Sequence, residues 1–240
     1  MILVTGGTGL VGSHLLCRLV RNNLKIRALY RSDAKIAAVK SVFSLYADMP
    51  EHAFDSIEWF KADINTLPQL QEAFKGITHV YHCAAMVSFD ENNYKTMRKV
   101  NIEGTANIVN LSIAHRIKKL CYVSSIATLG ESHGDTYITE ATHWNADVVN
   151  NSYAITKYGA EMEVWRGAQE GLPMVMVSPG VILGAGFWND GSGRLFPLVE
   201  KGFKYLSEVI VCFVGVEYLA EAMFLLMNHI VTAKRYLLVS

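Results

Sequence analysis

Short runs of β-branched and other apolar residues recur along the chain at Ile2–Thr5, Lys25–Tyr30, Ile57–Lys61, His79–Cys83, Leu120–Ser124 and Met174–Ser178. Their apolar positions are nearly continuous rather than alternating, which predicts strands covered on both faces. Between them, apolar residues spaced three and four apart predict helices over Val11–Asn22, Leu67–Phe74, Lys99–His115 and Ser152–Glu170. Strands alternating with helices predict right-handed βαβ units, and so an α/β fold with a doubly wound parallel sheet. After Pro179 the pattern loosens. Gly184, Gly186, Gly191 and Gly193 crowd one loop, a short helix near Leu195–Lys201 and a longer one over Glu217–His229 follow, and Tyr236–Val239 is a last apolar run. The expected division is a 1–178 domain and a partial lobe over 179–240 whose elements interleave with the first.

Composition narrows the class. With 51% of 240 residues apolar and 18% charged, the chain buries a substantial core and is not disordered. Twenty-two basic side chains balance twenty-two acidic ones, so there is no footprint for a polyanion, and nucleic acid is not an expected partner. The most apolar late stretch, Val209–Met227, is broken by Glu217 and Glu221 and falls short of the roughly 18 residues a membrane span needs. Met1 leads into Ile2-Leu3-Val4 without a basic leader, so no signal peptide is expected. Cys17, Cys83, Cys121 and Cys212 are scattered without a CxxC pair, which predicts reduced thiols and a cytoplasmic setting. His79 and His82 have no acidic neighbour at ligand spacing, and no metal site is expected.

Candidate chemistry begins at Thr5-Gly6-Gly7-Thr8-Gly9-Leu10-Val11-Gly12, which follows the first strand and opens a helix. Gly6 suits the tight turn, Gly9 the close approach of a pyrophosphate, and Gly12 the packing of helix on sheet. The amides at the helix start, from Leu10 and Val11 onward, attract phosphate together with the helix dipole. Dinucleotide binding follows from that context, although the front spacing is one residue wider than G-x-G-x-x-G. The second strand ends at Tyr30-Arg31 where NAD-selective sites place a carboxylate, so Arg31 predicts NADP in preference to NAD. The alternative is that Asp33 reaches the ribose and Arg31 is solvated. Asp63-Ile64, after the third strand, are positioned to flank the adenine.

Tyr153 and Lys157 lie four apart on a predicted helix and so share a face. A nearby ammonium and a cationic nicotinamide would lower the phenol's pKa toward a working range for acid–base catalysis. The pair alone is weak, because tyrosine and lysine are common. It gains weight from Ser124-Ser125 at the carboxyl end of the fifth strand, where open α/β sheets place their sites. Ser125 is the expected catalytic hydroxyl and Ser124 the alternative. A serine hydrolase is excluded, because no G-x-S-x-G elbow surrounds Ser125. Glu140, His143 and Asp147 precede Tyr153 in a loop and are expected to be solvated or to rim the pocket.

These motifs, with His82-Cys83-Ala84-Ala85, Asn101-Ile102-Glu103-Gly104-Thr105 and Ser178–Gly184, span about residues 1–186 in order. The chain resembles the extended short-chain dehydrogenases/reductases, or NAD-dependent epimerase/dehydratase family, in its dihydroflavonol reductase-like branch. The resemblance implies a Rossmann-type domain binding NADP or NAD, with Tyr153 as acid/base and Lys157 on the ribose. It places Ala84, Ala85 and Asn101 near the cofactor and Pro179 beside the nicotinamide. It also implies a homodimer through helices 99–115 and 152–170.

Ser125 is followed by Ile126-Ala127-Thr128 in place of the Asp-Glu pair of the family's dehydratases, which disfavours dehydration. Ala85–Phe89 resembles the substrate-side loop of dihydroflavonol reductase-like members. Met86, Phe89, Phe187 and Trp188 are expected to form an apolar pocket for a ketone or aldehyde, or else to fill space beneath a loop. Arg194 lies where sugar-nucleotide enzymes keep phosphate-binding cations, which leaves a 4-epimerase with tightly held NAD as the second reading. A regulatory NADP-binding protein without chemistry is the third, and the intact Tyr153–Lys157 pair weighs against it. Family members run longer than this chain, so an incomplete substrate lobe is expected.

Overall fold

In the computed structural model, which describes residues 1–49, 52–130, 137–188, 191–202 and 211–239, the expected strands form one sheet. These are β1 (Ile2–Thr5), β2 (Ile26–Tyr30), β3 (Glu58–Lys61), β4 (His79–His82), β5 (Lys119–Val123) and β6 (Met174–Pro179), joined by β9 (Lys234–Leu238). All pairings are parallel, in the order β3-β2-β1-β4-β5-β6-β9. The order reverses between β1 and β4, and a crevice opens beyond the carboxyl ends of strands at such a switch point.

Alternate side chains of each strand face opposite layers. On one face Val4, Tyr81, Cys121 and Val175 pack beneath α1 (Leu10–Val20), α2 (Ala34–Phe43) and α8 (Val216–Asn228), through Leu15, Val39, Val42 and Leu219. On the other, Leu3, Val80, Leu120 and Met176 meet α3 (Leu67–Ala73), α5 (Gly104–Ala114) and α6 (Ser152–Gln169), through Leu70, Ile108 and Val164. Each fully buried Leu or Val contributes roughly 1.5–3 kcal/mol relative to exposure, so the two layers hold the strand ends in fixed register.

The structure departs from the sequence expectation in two places. The helix expected from Lys99 begins earlier, as α4 (Tyr94–Arg98), and runs into α5 through a π-helical segment, Lys99–Glu103. α2 was not expected, because Ala34–Phe43 mixes small apolar residues with lysines and has no strong stripe. Beyond residue 178 the chain both returns to the main sheet and adds a ribbon of its own. β9 closes the edge of the main sheet, and β7 (Val181–Leu183) pairs with β8 (Phe213–Gly215) as a small parallel ribbon. The loop after β7 lies over α1, with the Ala185 carbonyl 3.0 Å from His14 Nε2. A further short helix, α7, occupies Leu195–Glu200. Among the described residues, no helix is long and apolar enough to cross a membrane.

Candidate active site

Between β1 and α1 the chain must reverse within Gly6–Gly9. Gly6 takes φ +68°, and a Cβ there would lie 2.7 Å from Ala84 N, so the backbone leaving β4 packs directly on the loop. At Gly12 a Cβ would meet Gly6 O at 2.2 Å. Gly9 differs, because its Cβ would meet only Gly6 O, at 3.5 Å, an ordinary contact. Gly9 caps α1 without a side-chain bond, and Ser13 N makes the first helical bond, to Gly9 O. The amides of Leu10, Val11 and Gly12 therefore head the helix with no partner inside it. Glycine-lined space and unpartnered amides at a positive helix end fit the pyrophosphate of a dinucleotide. Gly9→Ala is expected to keep the melting temperature within about 2 °C of the parent while losing most NADP affinity. Thermal melts and cofactor titration check both.

At the opposite end of the crevice, Arg31 is exposed just beyond β2, with Nη1 3.8 Å from Asp63 Oδ2. Asp33, the alternative ribose ligand, is bonded at 2.9 Å to Lys61 Nζ, and that bond holds its carboxyl below the usual range. The other oxygen of Asp63 accepts from Asn65 N at 2.8 Å. The Ile64 side chain is buried in the core beneath Gly104, where an added Cβ would meet Ile64 Cδ1 at 2.5 Å, so any contact it makes with a base runs through its backbone.

Ala84 follows β4, its amide donating to Thr5 Oγ1 at 3.2 Å, and Ala85 continues along the crevice wall. Asn101 is buried within the π-helical segment. Its carboxamide accepts from Met86 N (2.7 Å) and donates to Met86 O and Thr156 Oγ1 (3.0 Å each). It thus ties the Ala84–Met86 segment to α6. Pro179 is buried at the carboxyl end of β6, opposite Leu238 of β9.

Ser125 stands just past β5, where it caps the 3-10 turn Ile126–Thr128. Its Oγ accepts from Ala127 N at 3.1 Å, which leaves the O–H to donate elsewhere. Tyr153, in the first turn of α6, stands close enough to Ser125 for its phenol to feel the serine hydroxyl. Burial pushes the phenol's pKa up, and Ser125 draws it partly back. Lys157 is fully buried, and its ammonium donates to Tyr122 Oη (2.9 Å) and Val123 O (2.8 Å). The expectation that Lys157 lowers the phenol's pKa is therefore corrected: its bonds run to β5, and burial takes its own pKa down to about 7. Ser124 is removed as the alternative catalytic hydroxyl, because its Oγ donates to the buried carboxylate of Glu161 at 2.7 Å.

The four apolar candidates do not gather into one pocket. The Phe89 ring, 77% exposed, lies edge-on to Tyr153 with centroids 6.1 Å apart. Met86 is held by Asn101 on the same segment. Phe187 instead packs on the core beneath α1 and α2, and Trp188 sits edge-on to Phe196 of α7. Arg194, itself exposed, ends the turn Gly191–Arg194 ahead of α7.

Two functional candidates escaped sequence reading. Glu161 accepts from Ser124, Thr128, Trp165 and Arg235, but in sequence it is one carboxylate on a helix, and its cation lies 74 positions away. Tyr122 reads as strand filler. Its only sequence signal is the polar residue that Thr5, His82 and Tyr122 each place near the carboxyl end of an apolar strand.

A protein-family model described as male sterility protein, an NAD-binding type, matches residues 4–198. The chain belongs to that family. It is an extended short-chain dehydrogenase/reductase, as its ordered motifs imply. Dihydroflavonol 4-reductase of Gerbera hybrida is 24% identical over 193 residues, 76% of this chain and 51% of that protein. UDP-glucose 4-epimerase of Vibrio cholerae is 27% identical over 250 residues, 100% of this chain and 70% of that protein. The terminal R domain from the myxalamid PKS-NRPS biosynthetic pathway superposes with a TM-score of 0.86 at 28% identity, over 100% of this chain and 65% of that one. The chain spans about half the length of the dihydroflavonol reductases it matches.

Proposed function

We propose that the chain is the catalytic portion of an NADP-preferring oxidoreductase that reduces a carbonyl group on a largely apolar substrate. The observation that carries this reading is the juxtaposition of Tyr153 with Ser125 at the carboxyl end of β5, one helical turn from buried Lys157. In this proposal the pyrophosphate rests on the amides of Leu10, Val11 and Gly12, Arg31 takes the 2′-phosphate beside Asp63, and Ala84, Ala85 and Pro179 line the nicotinamide end. When bound, reduced nicotinamide supplies a hydride to the carbonyl carbon. Tyr153 delivers the proton to the carbonyl oxygen. A phenol whose pKa is raised by burial enters the reaction protonated, which suits reduction. Ser125, held by the bond its Oγ accepts from the Ala127 amide, donates to the same oxygen and orients it. Lys157 holds the ribose hydroxyls with the N–H that Tyr122 and Val123 leave free.

The exposed ring of Phe89 beside Tyr153 supports an apolar substrate, with Met86 on the same wall and Phe187, Trp188 and Arg194 farther along a lobe over residues 179–233. The second reading is a nucleotide-sugar 4-epimerase with tightly held NAD, favoured by the full-length similarity to the Vibrio cholerae enzyme. Four unpaired cysteines support a cytoplasmic setting. Exposed Ile155 and Met162 on α6 support a homodimer through this helix and the 94–114 helix.

The test assays ketones, aldehydes and sugar nucleotides with NADPH and NADH, following oxidation of the reduced cofactor. The proposal expects NADPH consumption with a carbonyl compound. Sugar interconversion without net consumption, with NAD copurifying, establishes the epimerase instead, and no turnover of either kind refutes both. Arg31→Ser is expected to raise KM for NADPH about tenfold or more and leave NADH unchanged, since it deletes charge-assisted bonds to one phosphate. An equal change for both cofactors would remove Arg31 from the site.

A further inference from the structure

The parallel register sets Thr5 of β1, His82 of β4 and Tyr122 of β5 in one row across three adjacent strands. Parallel strands in register point such a row to one face, here the face covered by α5 and α6. All three side chains are buried, as is Thr105 of α5 above them. Thr5 Oγ1 lies 2.6 Å from His82 Nδ1, and His82 Nε2 lies 2.9 Å from Thr105 Oγ1. Thr105 stands close enough to influence the phenol of Tyr122, whose hydroxyl accepts from Lys157 Nζ. The rings of His82 and Tyr122 lie with centroids 5.4 Å apart. Burial drives the pKa of His82 down to about 3, so its imidazole is neutral and carries a single ring proton. Such a ring donates to one hydroxyl and accepts from the other, which satisfies both of its nitrogens.

The row runs from the residue before Gly6, whose hydroxyl also receives the Ala84 amide, to the ammonium one turn from Tyr153. Buried polar chains hold one arrangement when every member is satisfied, and an unsatisfied member is costly. Nothing in the acid–base chemistry of Ser125 and Tyr153 requires these groups, yet they fix where the lysine points.

We infer that Tyr122, backed by Thr105 and His82, is a positioning residue for Lys157: a buried polar row spanning β1, β4 and β5 aims the ammonium and supplies the acceptor that keeps it charged. This rests on the proposed role of Lys157 at the ribose, and its test does not need cofactor or substrate. The titratable groups facing Lys157 are Tyr122 from β5, His82 and Cys83 from the end of β4, and Tyr153 and Glu161 from α6. Of these, Tyr122 is bonded to its ammonium directly. Removing that acceptor removes a charge-assisted bond from the protonated form only, so the titration midpoint must fall.

The experiment follows the Lys157 side chain by NMR in full-length protein carrying isotope-labelled lysine, with the resonance assigned by its loss in Lys157→Arg. Tyr122→Phe is expected to lower the Lys157 midpoint by about one pH unit with the fold retained. Thr105→Val should move it the same way by less, and Thr105→Ser should restore the parent value. If Tyr122→Phe does not fold, the Thr105 pair decides. A midpoint unmoved or raised in the folded variants overturns the inference. A parallel titration with NADP should show weakened binding in Tyr122→Phe that recovers as pH is lowered and the lysine recharges. If the parent protein binds no NADP while the midpoint still moves, the proposed function fails and the positioning role stands.

Discussion

Tyr153→Phe is expected to lower kcat by about 10²–10⁴ while leaving NADPH affinity within about twofold of the parent. The substitution keeps the ring, its edge contact with Phe89 and the first turn of α6, and it removes only the proton donor. The Ser125 hydroxyl remains to orient the carbonyl oxygen but cannot take over delivery, because serine is far less acidic than a phenol. Cofactor contacts proposed for the glycine loop and Arg31 lie elsewhere and should be unaffected. Steady-state kinetics with any carbonyl substrate found active, set beside an NADPH titration, read both quantities. Turnover close to the parent would mean that another group moves the proton.

Glu161→Ala is expected to cost about 3–5 kcal/mol of stability, because it strands a buried guanidinium. Arg235 Nη1 bonds Glu161 Oε1 at 2.6 Å, with the two side chains 12% and 1% exposed. The same carboxylate accepts from Ser124, Thr128 and Trp165, so one truncation leaves four donors without their acceptor. Arg235 also donates to the carbonyls of Glu140 and Thr142, which fastens the loop before α6 to β9. Because Ser124 and Thr128 bracket Ser125, activity should fall along with stability. Glu161→Leu combined with Arg235→Met should recover the part of the loss due to the stranded guanidinium. It should not recover the part due to Ser124, Thr128 and Trp165, whose donors still lack an acceptor. Chemical denaturation of the single and double variants measures both, and a single-variant loss below about 1 kcal/mol would show the pair to be dispensable.

The parallel sheet was legible because its strands are continuous apolar runs, and the glycine loop because its context between strand and helix leaves few other purposes. Tyr153, Lys157 and Ser125 were singled out by spacing and order along the chain, and the structure brings Tyr153 near Ser125. What remained hidden depends on contacts distant in sequence. The carboxylate of Glu161 looks solvated until Arg235, carried on the last strand, folds back onto it. The row formed by Thr5, His82 and Tyr122 exists only once β1, β4 and β5 are in register, and Lys157 bonds to its Tyr122 end. Ile64 shows the converse. Its neighbour Asp63 faces the crevice edge near Arg31, but strand-end geometry sends the next side chain into the core under Gly104.

The structure of a crystal grown with NADP tests the account most directly. The account predicts the pyrophosphate against the amides of Leu10, Val11 and Gly12, the 2′-phosphate at Arg31, and the nicotinamide ribose within hydrogen-bonding reach of both Tyr153 and Lys157. NADP bound with its nicotinamide end away from Tyr153, or excluded from the crevice at saturating concentration, would contradict it.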